Sequence, residues 1–308
     1  MAQLKIAILG ASGIGRFHFR EFVHAGTEVT SILGSSRETA EKTVNGLYSE
    51  FGMRPKAYFE LDTLLEAEHL DAASICTPPK LHYDQIKRCL EAGLHVLCEK
   101  PFVFNSYSDN SDRAIELIEL AKKQGRIITV NTQWPSVLSY VQPFVDISTV
   151  KSFFMYTQPG IRGVDMLWDH LPHVNSMLIK LIPGGQAEHI QFFIHSPEKM
   201  DVNFGYRTHD SLCAVCYKFK VKVDGPRDVR FSINGVGFAR RIEEPYQQKL
   251  VTDKTKIDIE DPLKASIGMF VGAVDGINQP LISTQEMVEN IRLQDRIIKA
   301  YISGKDEQ

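Results

Sequence analysis

Through its first 130 residues the chain alternates short apolar runs with amphipathic stretches. Residues 4–9, 29–33, 72–76, 95–98 and 127–131 read as buried strands. The stretches 14–25, 37–51, 61–68, 83–92 and 113–124 read as helices, with Gly93 and Gly125 stopping the last two. Strand–helix alternation of this kind predicts a parallel, doubly wound sheet. The pattern changes near residue 147. Strand-like runs at 149–157, 188–195, 211–223, 228–240 and 246–259 then outnumber helices, and several alternate polar with apolar residues as half-exposed antiparallel strands do. One helix, about 170–182, interrupts them and ends at Pro183-Gly184-Gly185; helices at 263–274 and from Thr284 to Ser303 close the chain. The predicted fold is therefore α/β plus α+β, with a first domain over 1–128 and a second, built on an antiparallel sheet, over 129–308.

Two places in the first domain carry chemistry. Ile6-Ala7-Ile8-Leu9 runs into Gly10-Ala11-Ser12-Gly13-Ile14-Gly15, a strand entering a glycine turn that opens a helix. Gly10 and Gly13 permit a tight turn and close backbone approach to a pyrophosphate, and the helix N-terminus offers free N–H groups and a positive dipole end. The run Val96-Leu97-Cys98 ends on Glu99-Lys100-Pro101, which places a lysine at the carboxyl end of a strand, where open α/β sheets bind ligands. The segment after the second strand, Leu33-Gly34-Ser35-Ser36-Arg37, has no carboxylate to bind the ribose hydroxyls of NAD. Two hydroxyls and a guanidinium suit a 2′-phosphate, so NADP is preferred over NAD, while Ser35 or Ser36 also serves as a helix cap.

Composition narrows the partners. Of 308 residues, 43% are hydrophobic and 24% charged, and the formal charge of -3 argues against a nucleic acid or an anionic membrane. No apolar run reaches the roughly 18 residues of a membrane span. The five cysteines show no framework spacing, and Met1 to Lys5 leads straight into a strand, so the expectation is a reduced, cytoplasmic protein. Three other pairings carry less. Cys213-x-x-Cys216 lies in a strand-like run that points the two thiols to opposite faces. Tyr83-x-x-x-Lys87 has the catalytic spacing of short-chain dehydrogenases but falls before the fourth strand, and reads as one face of a helix. His170-x-x-His173 has no third ligand, so no metal is expected.

Three ordered motifs carry a family likeness. Gly10-x-x-Gly13-x-Gly15-x-x-His18, Cys76-Thr77-Pro78-Pro79-x-x-His82 and Glu99-Lys100-Pro101 together resemble the glucose-fructose oxidoreductase, inositol dehydrogenase and rhizopine catabolism (Gfo/Idh/MocA) family. The resemblance implies an N-terminal Rossmann domain binding NAD(P), and a C-terminal domain with an open, mainly antiparallel sheet for substrate binding and oligomerisation. It implies hydride transfer between the cofactor and a carbinol of a sugar, cyclitol or related polyol, in a homodimer or homotetramer. The residues expected to hold the dinucleotide are Gly10, Ser12, Gly13, Ile14, Gly15, Ser35, Ser36, Arg37, Cys76, Thr77, Pro78, His82, Glu99 and Lys100.

The same resemblance marks Asp169-x-x-x-His173 at the start of a second-domain helix, with Lys100 near the nicotinamide. Leu171, Val174, Met177, Leu178, Leu181 and Ile182 recur at helical spacing, so Asp169 is read as the N-cap, Pro172 as a first-turn residue, and 169 and 173 as sharing one side. In that arrangement His173 is the acid–base group, Asp169 orients it, and Lys100 holds the reacting oxygen. The sequence departs from the family pattern at Ser176, at a glycine stretch reduced to Gly163, and in Asn131-Thr132-Gln133-Trp134-Pro135, which lacks an arginine. Arg162 reads as an exposed loop residue. The expected activity is that of an oxidoreductase; the alternative is a dinucleotide-binding sensor or co-regulator of the same fold.

Overall fold

The computed structural model describes residues 3–104, 110–244 and 246–306. They form two compact units, Met1–Asn131 with Leu263–Met287, and Thr132–Pro262 with Val288–Gln308.

The first unit alternates as its apolar pattern demands. Its elements are β1 (Lys5–Leu9), α1 (Ile14–His24), β2 (Glu28–Leu33), α2 (Arg37–Phe51), β3 (Lys56–Tyr58), α3 (Leu61–Ala67), β4 (Ala72–Ile75), α4 (His82–Glu91), β5 (His95–Glu99), α5 (Asn110–Lys123) and β6 (Ile128–Asn131). All six strands are parallel, in the order β3-β2-β1-β4-β5-β6. The strands inside this order are apolar on both faces because helices cover both, and Ile6–Leu9 and Ala72–Ile75 are fully buried. Strand β3 escapes the sequence reading because an edge strand needs no apolar run; Lys56 and Ala57 are exposed.

Chain order and packing part company at α8 (Pro262–Val274). Leu263, Ile267, Phe270 and Val271 join Ile6, Phe19, Phe22, Val29 and Leu97 in one buried cluster, and the Phe270 ring meets Phe22 edge-on at 6.1 Å. The sequence reading placed 263–287 in the domain 129–308. A helix's periodicity announces that one face will be buried, not which sheet it will cover.

The second unit holds α6 (Leu138–Val141), β7 (Ser152–Thr157), α7 (Asp165–Leu181), β8 (Gln186–Ser196), β9 (Lys199–Arg207), β10 (Leu212–Lys220), β11 (Arg230–Ile233), β12 (Val236–Glu243), β13 (Gln247–Val251) and β14 (Lys256–Ile259), with α9 (Thr284–Asp306) from Val288 onward. Its eight strands lie in the order β14-β13-β12-β11-β7-β10-β9-β8; β7 and β10 are parallel and every other neighbouring pair is antiparallel. This is the α/β plus α+β class read from the pattern, with finer divisions. The run 228–240 is a hairpin, because Asn234 (φ 50°) and Gly235 (φ 83°) both take left-handed backbone and turn the chain. The run 246–259 likewise divides into β13 and β14. Strand β9, absent from the sequence reading, pairs with both β8 and β10.

Helix α7 also corrects an expectation. It begins at Asp165, with Val164 as N-cap, so Asp169 lies one turn inside and does not cap it, and Pro172 is a helix-interior residue. An interior proline has no N–H for the carbonyl four residues back. Here the Gln294 side chain donates to the Trp168 carbonyl (3.3 Å), and Asn290 donates to the Pro172 carbonyl (2.8 Å). Partners more than 110 positions away in sequence therefore permit the helix to start early.

Candidate functional site

The first set of predicted residues gathers at the carboxyl ends of β1, β2, β4 and β5. β1 and β4 are neighbours, with the chain leaving toward β2 on one side and β5 on the other, so the glycine turn stands at the switch point of the sheet. Gly10 takes φ +87°, and a Cβ there would lie 2.8 Å from the Cys76 carbonyl oxygen. Gly15 admits no side chain either, since its Cβ would meet the Gly10 carbonyl. Gly13 differs: a Cβ there would meet nothing within 4 Å. Ser12, Gly13 and Ile14 are exposed, and α1 begins with no side-chain cap and no acid in its first turn. An uncapped helix start beside an unfilled glycine surface suits a pyrophosphate, so these residues fit the dinucleotide that their pattern implies.

At the end of β2, the Ser36 hydroxyl accepts from the Thr39 amide (3.2 Å) in a capping box that opens α2, and Ser35 Oγ lies 3.2 Å from Thr39 Oγ1. The Arg37 guanidinium sits 5.0 Å above the Phe59 ring. Ser35, Ser36 and Arg37 are all exposed at this corner, and Phe59 is a neighbour that the sequence reading did not include.

Beyond β4, Cys76 and Thr77 are half-buried and Pro78 is exposed. His82 is fully buried. Its ring nitrogens lie 2.7 Å from the Thr77 carbonyl and 2.8 Å from the Pro101 carbonyl, so it clasps the loop after β4 to the loop after β5. Burial pushes its pKa below the usual imidazole value, only partly offset by those carbonyls. The Lys100-Pro101 peptide is cis. Tyr83 and Lys87 share one face of α4 as expected, both bonding Glu116 at 2.6 and 3.2 Å.

Between these loops lies a buried polar chain that sequence reasoning named only in pieces. His18 donates through Nε2 to Glu99 (2.9 Å), and its Nδ1 meets Ser74 Oγ at 2.8 Å. Asn131 donates to the same Glu99 oxygen, and the Lys100 amide donates to the other at 3.3 Å. Burial alone would lower the His18 pKa and raise that of Glu99. The Cys76 and Glu99 interactions instead carry His18 up to about 10, and the His18, Lys100 and Asn131 interactions bring Glu99 down to about 2. The sequence signal for Ser74 and Asn131 is a polar residue inside an otherwise apolar strand, Ala-Ala-Ser-Ile and Ile-Thr-Val-Asn.

The other two predicted catalytic residues belong to the second unit. From Met166 to Ile179, α7 is buried at every position except Asp169 and His173, which are half-buried and one turn apart. That is the shared side expected of them. The Asp169 carboxylate lies 3.4 Å from His170 Nε2, whose Nδ1 meets Thr157 Oγ1 at 2.9 Å. The His173 ring packs edge-on against His170 at 5.8 Å. Arg162 pairs with Glu198 at 2.6 Å and is well exposed. Cys213 is buried and Cys216 half-buried, as alternation along β10 requires.

The strand order and the glycine turn at its switch point define a dinucleotide-binding Rossmann unit. The model of the oxidoreductase family with NAD-binding Rossmann fold, Gfo/Idh/MocA, matches residues 4–132. Residues 4–132 are thus similar to the NAD-binding domain of that family. An uncharacterized oxidoreductase of Schizosaccharomyces pombe is 34% identical over 131 residues, 42% of this chain and 34% of that protein. The inositol 2-dehydrogenase of Streptomyces avermitilis is 31% identical over 129 residues, 41% of this chain and 35% of that protein. These matches span about a third of the relatives' own length. The UDP-N-acetylglucosamine 3-dehydrogenase of Acidithiobacillus ferrooxidans has the same fold, with TM-score 0.73 at 16% identity over 97% of this chain and 98% of that one.

Proposed function

We propose that this protein is an NAD(P)-dependent oxidoreductase acting on a hydroxyl or carbonyl group of a sugar, cyclitol or related polyol. The observation that carries the reading is the carboxyl end of the parallel sheet, where the glycine turn at the switch point, with open space at Gly13, shares one rim with Lys100. A dinucleotide bound there would supply hydride-transfer chemistry. Gly10, Ser12, Gly13, Ile14 and Gly15 hold the pyrophosphate, and Cys76, Thr77, Pro78, His82 and Glu99 shape the adjoining loops. Lys100 holds the reacting oxygen and stabilises negative charge on it. His173 moves the proton and Asp169 orients and tunes it. Ser35, Ser36 and Arg37 favour NADP, since no carboxylate follows β2 to meet the ribose. The names of the matched inositol and nucleotide-sugar dehydrogenases support the polyol class. The second unit is assigned substrate binding and subunit contacts.

The test is binding first and turnover second. Thermal shift with NAD, NADP and their reduced forms should show stabilisation, strongest with the NADP pair, and Ser35→Asp should reverse the preference through repulsion of the 2′-phosphate. A sugar and cyclitol panel should then reveal turnover that His173→Ala lowers by about 10²–10⁴-fold. Tight binding with no turnover on any polyol would favour the sensor reading. No stabilisation by any dinucleotide would end the proposal. Light scattering at micromolar concentration should give a dimer or tetramer, through the sheet face that carries the register row Ser232, Phe154, Cys216, Asn203 and Gln191.

A further inference from the structure

The buried chain around His18 is more than core filling. It joins four elements, α1, β4, β5 and β6, at the points where three of them present predicted site residues. His18 lies on α1, one turn beyond the glycine turn; Ser74 precedes Cys76; and Glu99 precedes Lys100. Four of its members, His18, Ser74, Glu99 and Asn131, are buried, so each hydrogen bond is made away from water and fixes geometry strongly. The Glu99 carboxylate is fully engaged within the protein: His18 and Asn131 reach Oε1, and the Lys100 amide reaches Oε2. Its link to the site runs through the Lys100 backbone.

We propose that His18 and Glu99 form a positioning pair that holds the backbone of Lys100 in fixed relation to the dinucleotide helix α1. Glu99 thus acts as a positioning residue for Lys100. The inference rests on the assignment of Lys100 to the reacting oxygen. Replacement of either partner leaves the other buried without its main counterpart, and the Lys100 amide then loses a fixed acceptor. The charge on the pair depends on every group facing His18: Ser74 and Cys76 from β4, Glu99 from β5, Asn131 from β6 and the Phe22 ring on α1 itself, with the Cys98 thiol behind Glu99.

The experiment uses the full chain without substrate. Long-range proton–nitrogen NMR of the wild type should show both His18 ring nitrogens protonated at about pH 8, well above the usual imidazole midpoint. Acetic anhydride labelling read by peptide mass spectrometry should show that Glu99→Gln and His18→Gln change the rate at Lys100 by at least about threefold relative to exposed Lys80. A His18 ring with no proton on Nε2 in the wild type would overturn the proposal, and that measurement stands even if a variant fails to fold. An unchanged Lys100 rate in folded variants would overturn it too. If Lys100 responds but no form of the protein binds NADPH or NADH, the positioning pair stands and the dinucleotide reading falls.

Discussion

At the residue scale, the glycines of the first turn divide into those the protein needs and the one a ligand needs. Gly10 is held at φ +87° against the Cys76 carbonyl, so Gly10→Ala should destabilise the fold by about 1–3 kcal/mol whatever binds there. A Cβ on Gly13 meets nothing within 4 Å, but its backbone (φ -106°, ψ -117°) lies outside the regions L-residues favour, so Gly13→Ala should cost less stability than Gly10→Ala while weakening the thermal shift with dinucleotide. Equal loss of fold in both variants would refute this division. The His18–Glu99 pair makes a second prediction. The folded pKa of His18, about 10, lies above its ordinary 6.5, so its stabilisation is complete below about pH 6.5 and is lost as pH rises through 10. Glu99, held at about 2 against an ordinary 4.5, contributes above about pH 4.5 and loses that contribution as pH falls through 2. Urea unfolding between about pH 7 and 10 should therefore show wild-type stability falling more steeply than that of His18→Gln, by about 1.4 kcal/mol per pH unit. Parallel pH profiles would contradict the charged pair.

At the scale of elements, α7 shows how a helix carries a proline in its interior. Pro172 cannot bond the Trp168 carbonyl, and Gln294 from α9 supplies a donor to it. Gln294→Leu should cost about 1–3 kcal/mol, and the cost should shrink in a Pro172→Ala background, where the backbone N–H can return. A double-mutant cycle by chemical denaturation measures the coupling; zero coupling would show that Gln294 does not replace the missing bond. The early start of α7 matters for the site. It moves Asp169 from a cap, where its carboxylate would be spent on backbone N–H groups, into the turn below His173.

At the scale of the whole molecule, the chain returns late to a core it began early. Phe270 of α8 is 1% exposed and packs on Phe22 of α1 among residues of the parallel sheet's covering layer. Phe270→Ala should cost about 3–5 kcal/mol. The loss should appear in hydrogen exchange of β1 and β2, not in that of β9 and β10. Equal loss in both sheets would contradict the assignment of α8 to the first unit. None of the long helices in this architecture is both long and apolar enough to cross a membrane, among the described residues.

The alternation of apolar runs and amphipathic stretches determined by itself five of the six strands of the parallel sheet, all but the edge strand β3. A strand buried on both faces and a helix buried on one leave unmistakable periods, and glycines mark the turns between them. The motif residues from Gly10 to Lys100 were legible for the same reason, since strand ends and the turns after them are local features. The long-range choices were not legible. The start of α7 depended on Gln294 and Asn290, the division of 228–240 on two left-handed residues read as strand, and the home of α8 on which sheet had an uncovered face. The His18–Ser74–Glu99–Asn131 chain joins residues up to 113 positions apart. A sequence shows each of these as a polar residue in an apolar setting. Only the tertiary structure decides that they satisfy one another, because a buried hydrogen bond is fixed by proximity in space and not by spacing along the chain.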